Sequence, residues 1–146
     1  MSVWSRPNVN NPSPEQMDRA RRLLAHEGAA GSVEECAQAA GRVYDKLHAH
    51  LAPLVGAAGV QALLARSAKL AQGEFACLSV AVVEDSTRLR DCLRSQDPTV
   101  AAESAAALFA TFFALITVFI GERLTTQVLR TAWPTIEELA RTENEK

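Results

Sequence analysis

The chain has 146 residues, 48% of them hydrophobic and 22% charged, with a net charge of −2. That length and balance suit a single globular domain, and the charge supplies no basic stripe of the kind nucleic acids select. Cys36, Cys77 and Cys92 are odd in number and share no C-x-x-C spacing, which argues against a disulfide framework or a zinc knuckle and suits a reducing cytoplasm.

The start, MSVWSRPNVNNPSP, is polar and proline-rich. It lacks the apolar stretch of a secretory signal peptide, and residues 1–12 are expected to form an arm. Ser13, Pro14 and Gln16 then supply a hydroxyl cap, a proline at the first helical position and the glutamine of a capping box. A first helix follows, with Met17, Ala20 and Leu24 at helical spacing and Gly28 and Gly31 as its stop. Arg19, Arg21 and Arg22 on it read as a solvated face.

Ser32 and Glu35 repeat the capping logic for a second helix, whose stripe is Cys36, Ala40, Val43, Leu47, Leu51 and Leu54. Pro53 is expected to kink or end it. A third amphipathic helix runs through Val60, Leu63, Leu64, Ser67, Leu70 and Ala71 and ends near Gly73, leaving Glu74 in water. The next stretch, FACLSVAVV from Phe75 to Val83, suits either a buried helix or an extended connector, because a lone strand would have no partner. Ser86 is placed as the cap of a short fourth helix carrying Leu89, Cys92 and Leu93.

Asp97 and Pro98 mark a strong helix start, with no further proline before Pro134. The expected helix, about 98–132, contains an uncharged run from Ser104 to Gly121 that holds four of the five phenylalanines. At roughly 50 Å it would outreach a domain of this size, so Gly121 is the hinge candidate. Thr135–Glu138 is placed as the cap of a last short helix, within a domain of residues 13–141, and 142–146 read as a frayed charged tail. The fold class is therefore all-α, a single-domain bundle of five or six helices around the long apolar C-terminal one.

Turned at about 100° per residue, that helix divides into a large half, including Phe109, Phe112, Phe113, Ile116 and Phe119, and a small half, including Ala106, Ala110 and Ala114. The large half is assigned to the core. The small half continues as a seam through Thr117, Gly121, Leu124 and Val128, and its distal part, from Ala114 on, is assigned to a two-fold dimer contact, with coverage inside the same chain as the alternative. The run is also long enough to be weighed as a membrane span. Its alanines and the absence of an aromatic belt argue against that assignment.

No nucleophile elbow, phosphate-binding glycine loop, H-E-x-x-H or dinucleotide fingerprint is present. Asp45 and His48 share the spacing of a metal-binding pair, but a di-metal bundle needs more carboxylates and a second such pair, so no metal or other cofactor is expected. The function that composition and pattern favour is a soluble, cytoplasmic, non-catalytic interaction or regulatory module. It would act as a homodimer or on an unidentified protein partner. The second expectation is a binding protein for a small apolar ligand lodged in the bundle core against Phe109, Phe112, Phe113 and Tyr44. A membrane-associated helical protein is the third.

Overall fold

The computed structural model describes residues 12–29 and 31–134. The expected arm, the expected last helix capped at Thr135–Glu138 and the charged tail fall wholly or almost wholly outside them. The described residues form an all-α bundle of six helices: α1 Pro14–His26, α2 Val33–Val55, α3 Ala57–Ala71, α4 Ser86–Arg94, α5 Pro98–Ile120 and α6 Glu122–Ala132. No strand occurs among the described residues.

The caps read from the sequence set most helix starts. Ser13 Oγ accepts from the Gln16 amide at 3.1 Å, while the Gln16 side chain accepts from the Ser13 amide at 2.9 Å, closing the capping box. Ser32 caps α2 through the Glu35 amide, and Asp97 caps α5 through that of Val100. At α4 the cap is Asp85, which accepts from the Arg88 amide at 2.9 Å, and Ser86 is the first helical residue. Pro53 neither ends nor replaces the last turn of α2, because the helix continues to Val55 and the Gly56 amide still reaches the Ala52 carbonyl at 2.7 Å.

The core is built around α5, which packs on α1, α2, α3, α4 and α6. Both halves of its middle turns, residues 104–114, are buried: Leu108, Phe109 and Phe112 on the large side, Ala106, Ala110 and Thr111 on the small side. The alanines let α1 and α3 approach closely, so the small half is covered inside the chain as far as Ala114, the first residue of the expected dimer seam, which keeps only 7% of its surface. Arg21 on α1 and Glu103 on α5 pair at 2.9 Å across the rim of that contact.

Phe75–Val83 resolves into a connector ending in a 3-10 turn, Val80–Val83. Leu78 and Val83 are buried, and the Val83 carbonyl accepts from Tyr44 Oη at 2.8 Å and from Gln61 Nε2 at 2.6 Å. Two side chains on α2 and α3 thus satisfy a backbone group that no ladder or helix could.

At Gly121 the long helix does not merely kink; it breaks. Its φ of +95° and ψ of +156° lie in a region that is essentially closed to residues with a Cβ. Gly56 takes almost the same conformation between α2 and α3, at φ +86° and ψ +151°. Each glycine ends one helix and starts the next with no residue between, which reverses the chain enough for α6 to fold back on α2.

Candidate interaction surface

The break at Gly121 leaves an elbow at one end of the bundle, where the uncharged run emerges from the core. Val118 is 75% exposed and Phe119 64%, with Leu124 at 37% on the first turn of α6. Leu115 and Ile120 beside them are half-buried. Exposed single apolar side chains are ordinary, but adjacent large ones at the end of an otherwise buried helix form a patch. Thr125 secures the elbow from below, its hydroxyl donating to the Gly121 carbonyl at 2.8 Å.

The seam expected through Ala114, Thr117, Gly121, Leu124 and Val128 is therefore not continuous. Ala114 is inside the bundle, Thr117 is half-buried, and Gly121 interrupts the helix. Val128 turns inward beside Leu47, Leu51 and Ile116. Of the five, Leu124 and Gly121 share the exposed elbow. Sequence periodicity finds such residues apolar but says nothing of which neighbour covers them.

The far end of α6 is fastened by Trp133, whose ring is buried. Its Nε1 donates to Glu27 Oε2 at 2.7 Å, Lys46 Nζ donates to the same oxygen, and the Lys46 ammonium sits 5.5 Å from the indole centroid. Burial works to raise the Glu27 pKa, but the hydrogen bonds from Lys46 and Trp133 outweigh it and hold the carboxyl below its ordinary value.

The core residues proposed to line an apolar ligand pocket do not enclose one. Phe109 and Phe112 have no accessible surface, as a void of ligand size would give them, and Phe113 meets α2 and α6 around a gap of only about 10 Å³. Tyr44 is buried too, its hydroxyl committed to Val83 and its ring 5.0 Å from that of His48. Close packing of this kind leaves no room for a ligand against these four residues.

Asp45 and His48 do not converge. The Asp45 carboxylate is 60% exposed and lies 3.8 Å from Arg90, while His48 leans on Tyr44. Among the described residues no three His, Cys, Asp or Glu side chains group as a metal site. Cys36 is buried on α2, and burial pushes its thiol pKa up.

One concavity was not foreseen. A cleft of about 440 Å³ lies between the end of α3 and the middle of α5, lined by Arg66, Lys69, Leu70, Glu74, Ala107 and Thr111 among others. Arg66 and Lys69 make no ion pair among the described residues. The buried Thr111 hydroxyl at its floor has no hydrogen-bond partner there. Its only sequence signal is a threonine within an alanine-rich face.

The α5 helix is the one described helix long and apolar enough to cross a membrane, with a mean hydropathy of 2.0 over its most apolar window. Of that window 67% is buried by the other helices, as expected of a core helix. Comparison with protein-family models, curated proteins and solved structures returns no match.

Proposed function

We propose that this protein is a non-catalytic interaction module that docks through the α5–α6 elbow, and that its first partner is a second copy of itself. The observation that supports this is the exposure of Val118 and Phe119 at the tip of a helix buried elsewhere. Arg123 and Glu122 flank the patch with opposite charges, so two copies related by a two-fold axis could set each arginine against the other's glutamate around an apolar centre. Light scattering at micromolar concentration tests it. Twice the chain mass of 15.7 kDa is expected for the wild type and a single mass for Phe119→Asp. A single mass for the wild type would remove the dimer.

A second reading, a receptor for a small amphipathic anion, is supported by the cleft beside Thr111. Arg66 and Lys69 offer cations at its mouth that are unpaired among the described residues, Leu70 and Ala107 an apolar wall, and Thr111 a hydroxyl with no partner among those residues. Titration with octanoate, followed by amide chemical shifts, should move Ala107 and Thr111 in the wild type and not in an Arg66→Ala, Lys69→Ala variant. Unmoved signals in the wild type would remove this reading and leave the elbow reading intact.

A further inference from the structure

Two of the three cysteines, distant in sequence, meet in the fold. The connector after α3 turns at Phe75, where the Leu78 amide bonds back to the Phe75 carbonyl at 2.9 Å, and this carries Cys77 beneath α4. Cys92 comes down on it from the apolar face of α4, between the buried Leu89 and Leu93. Its Sγ donates to the Cys77 carbonyl oxygen at 3.4 Å, which sets the two cysteines side by side. Cys77 Sγ also lies 3.6 Å from Ser104 Oγ of α5. Both cysteines keep partial exposure, whereas Cys36 is buried on α2.

We propose that Cys77 and Cys92 are a redox-active dithiol that closes to an intramolecular disulfide by exchange with a low-molecular-weight disulfide of the glutathione class. The order of events follows from the surroundings. Burial, with the neighbouring Cys77 adding to it, pushes the Cys92 thiol up to about 12, so Cys92 is a poor first nucleophile at neutral pH. Cys77 attacks first. Its thiolate displaces one thiolate from the external disulfide and forms a mixed disulfide, and its proton goes to solvent. Modified Cys77 can no longer carry the charge that opposes ionisation of Cys92. The Cys92 sulfur then attacks the Cys77 sulfur, expelling the second external thiolate, which takes up the Cys92 proton. Two protein thiols are oxidised and one external disulfide is reduced to two thiols.

The bridge would close a loop of 15 residues and tie the Phe75–Val83 connector to α4. By limiting the unfolded chain it should raise the melting temperature by roughly 10 °C.

The test uses the full chain, reduced, freed of reductant and incubated folded with glutathione disulfide before alkylation. Free thiols should fall from three to one. Trypsin cuts at Arg88 and Arg90, between the two cysteines, so the Cys77 and Cys92 peptides should be found joined and the Cys36 peptide alkylated. Dithiothreitol should reverse both the link and the rise in melting temperature. Cys92→Ser should stop at one glutathione on Cys77, and Cys77→Ser should leave Cys92 unmodified. If a variant does not fold, the wild-type peptide map decides alone. Three alkylated cysteines, a glutathione stranded on Cys77 of the wild type, or a bridge to Cys36 would each overturn the proposal.

Discussion

Trp133 donates its indole N–H to Glu27 Oε2 at 2.7 Å, joining the end of α6 to the end of α1 across 106 residues of chain. With Lys46 on the same carboxylate oxygen, one half-buried acid holds α1, α2 and α6 together. Because its pKa is held below the ordinary value, the carboxylate contributes stability that is fully present above its unfolded pKa. That contribution is lost as pH falls through the folded one. Glu27→Gln should therefore cost about 1–3 kcal/mol at neutral pH and show a shallower acid destabilisation than the wild type. Urea melts from pH 7 to pH 3 check this, and parallel wild-type and variant curves would show that the carboxylate charge is not what fastens α6.

A phenylalanine pair on one helix separates core from surface. Phe109 has no accessible surface, whereas Phe119 is 64% exposed. Phe109→Ala should cost about 3–5 kcal/mol, and Phe119→Ala should change monomer stability by no more than about 0.5 kcal/mol. Denaturation at submicromolar concentration, where self-association is negligible, makes the comparison. A large loss at Phe119 in that regime would mean that the elbow packs within its own chain.

What is legible in the sequence, and what is not, divides by range. Local chemistry placed the helix starts, since Ser13 with Gln16, Ser32 with Glu35 and Asp97 with Pro98 act on amides within one turn. It misplaced the start of α4 by one residue, because Asp85 and Ser86 are both good caps. The period of helix α5 showed two apolar faces, yet not that α1 and α3 would cover the alanine side. The pairing of Cys77 with Cys92, the fastening of Trp133 on Glu27 and the cleft at Thr111 are long-range and leave no periodic trace. Each depends on how far the chain reverses at Phe75, Gly56 or Gly121.

The Val83 carbonyl is bonded twice, by Tyr44 and by Gln61. Tyr44→Phe alone should cost about 1 kcal/mol, because the Gln61 amide still satisfies the oxygen. Removing both donors leaves a buried carbonyl unpaired, so Tyr44→Phe with Gln61→Ala should exceed the sum of the single changes by about 1 kcal/mol or more. A double-mutant cycle by urea denaturation measures the excess. Strict additivity would show that the connector does not depend on this bonded pair.

Two glycines test different physics with the same substitution. A Cβ on Gly121 would meet no atom within 4 Å, so Gly121→Ala acts through backbone strain alone, at a φ of +95°. It should cost about 1–3 kcal/mol, and because alanine favours a continuous helix it should weaken the fold-back of α6 and expose Trp133 to solvent. Gly41, inside α2, has ordinary helical backbone, but a Cβ there would lie 2.2 Å from Arg90 Nε. The guanidinium is half-buried at the end of a flexible side chain and its Nε has no hydrogen-bond partner among the described residues. It can therefore swing outward. Gly41→Ala also gains about 0.5–1 kcal/mol of helix preference, so its net effect should stay within about 1 kcal/mol while the Arg90–Asp45 pair is lost. Urea melts and tryptophan emission read both variants. If Gly121→Ala proves as mild as Gly41→Ala and the emission of Trp133 is unchanged, the positive-φ break is not what folds α6 back.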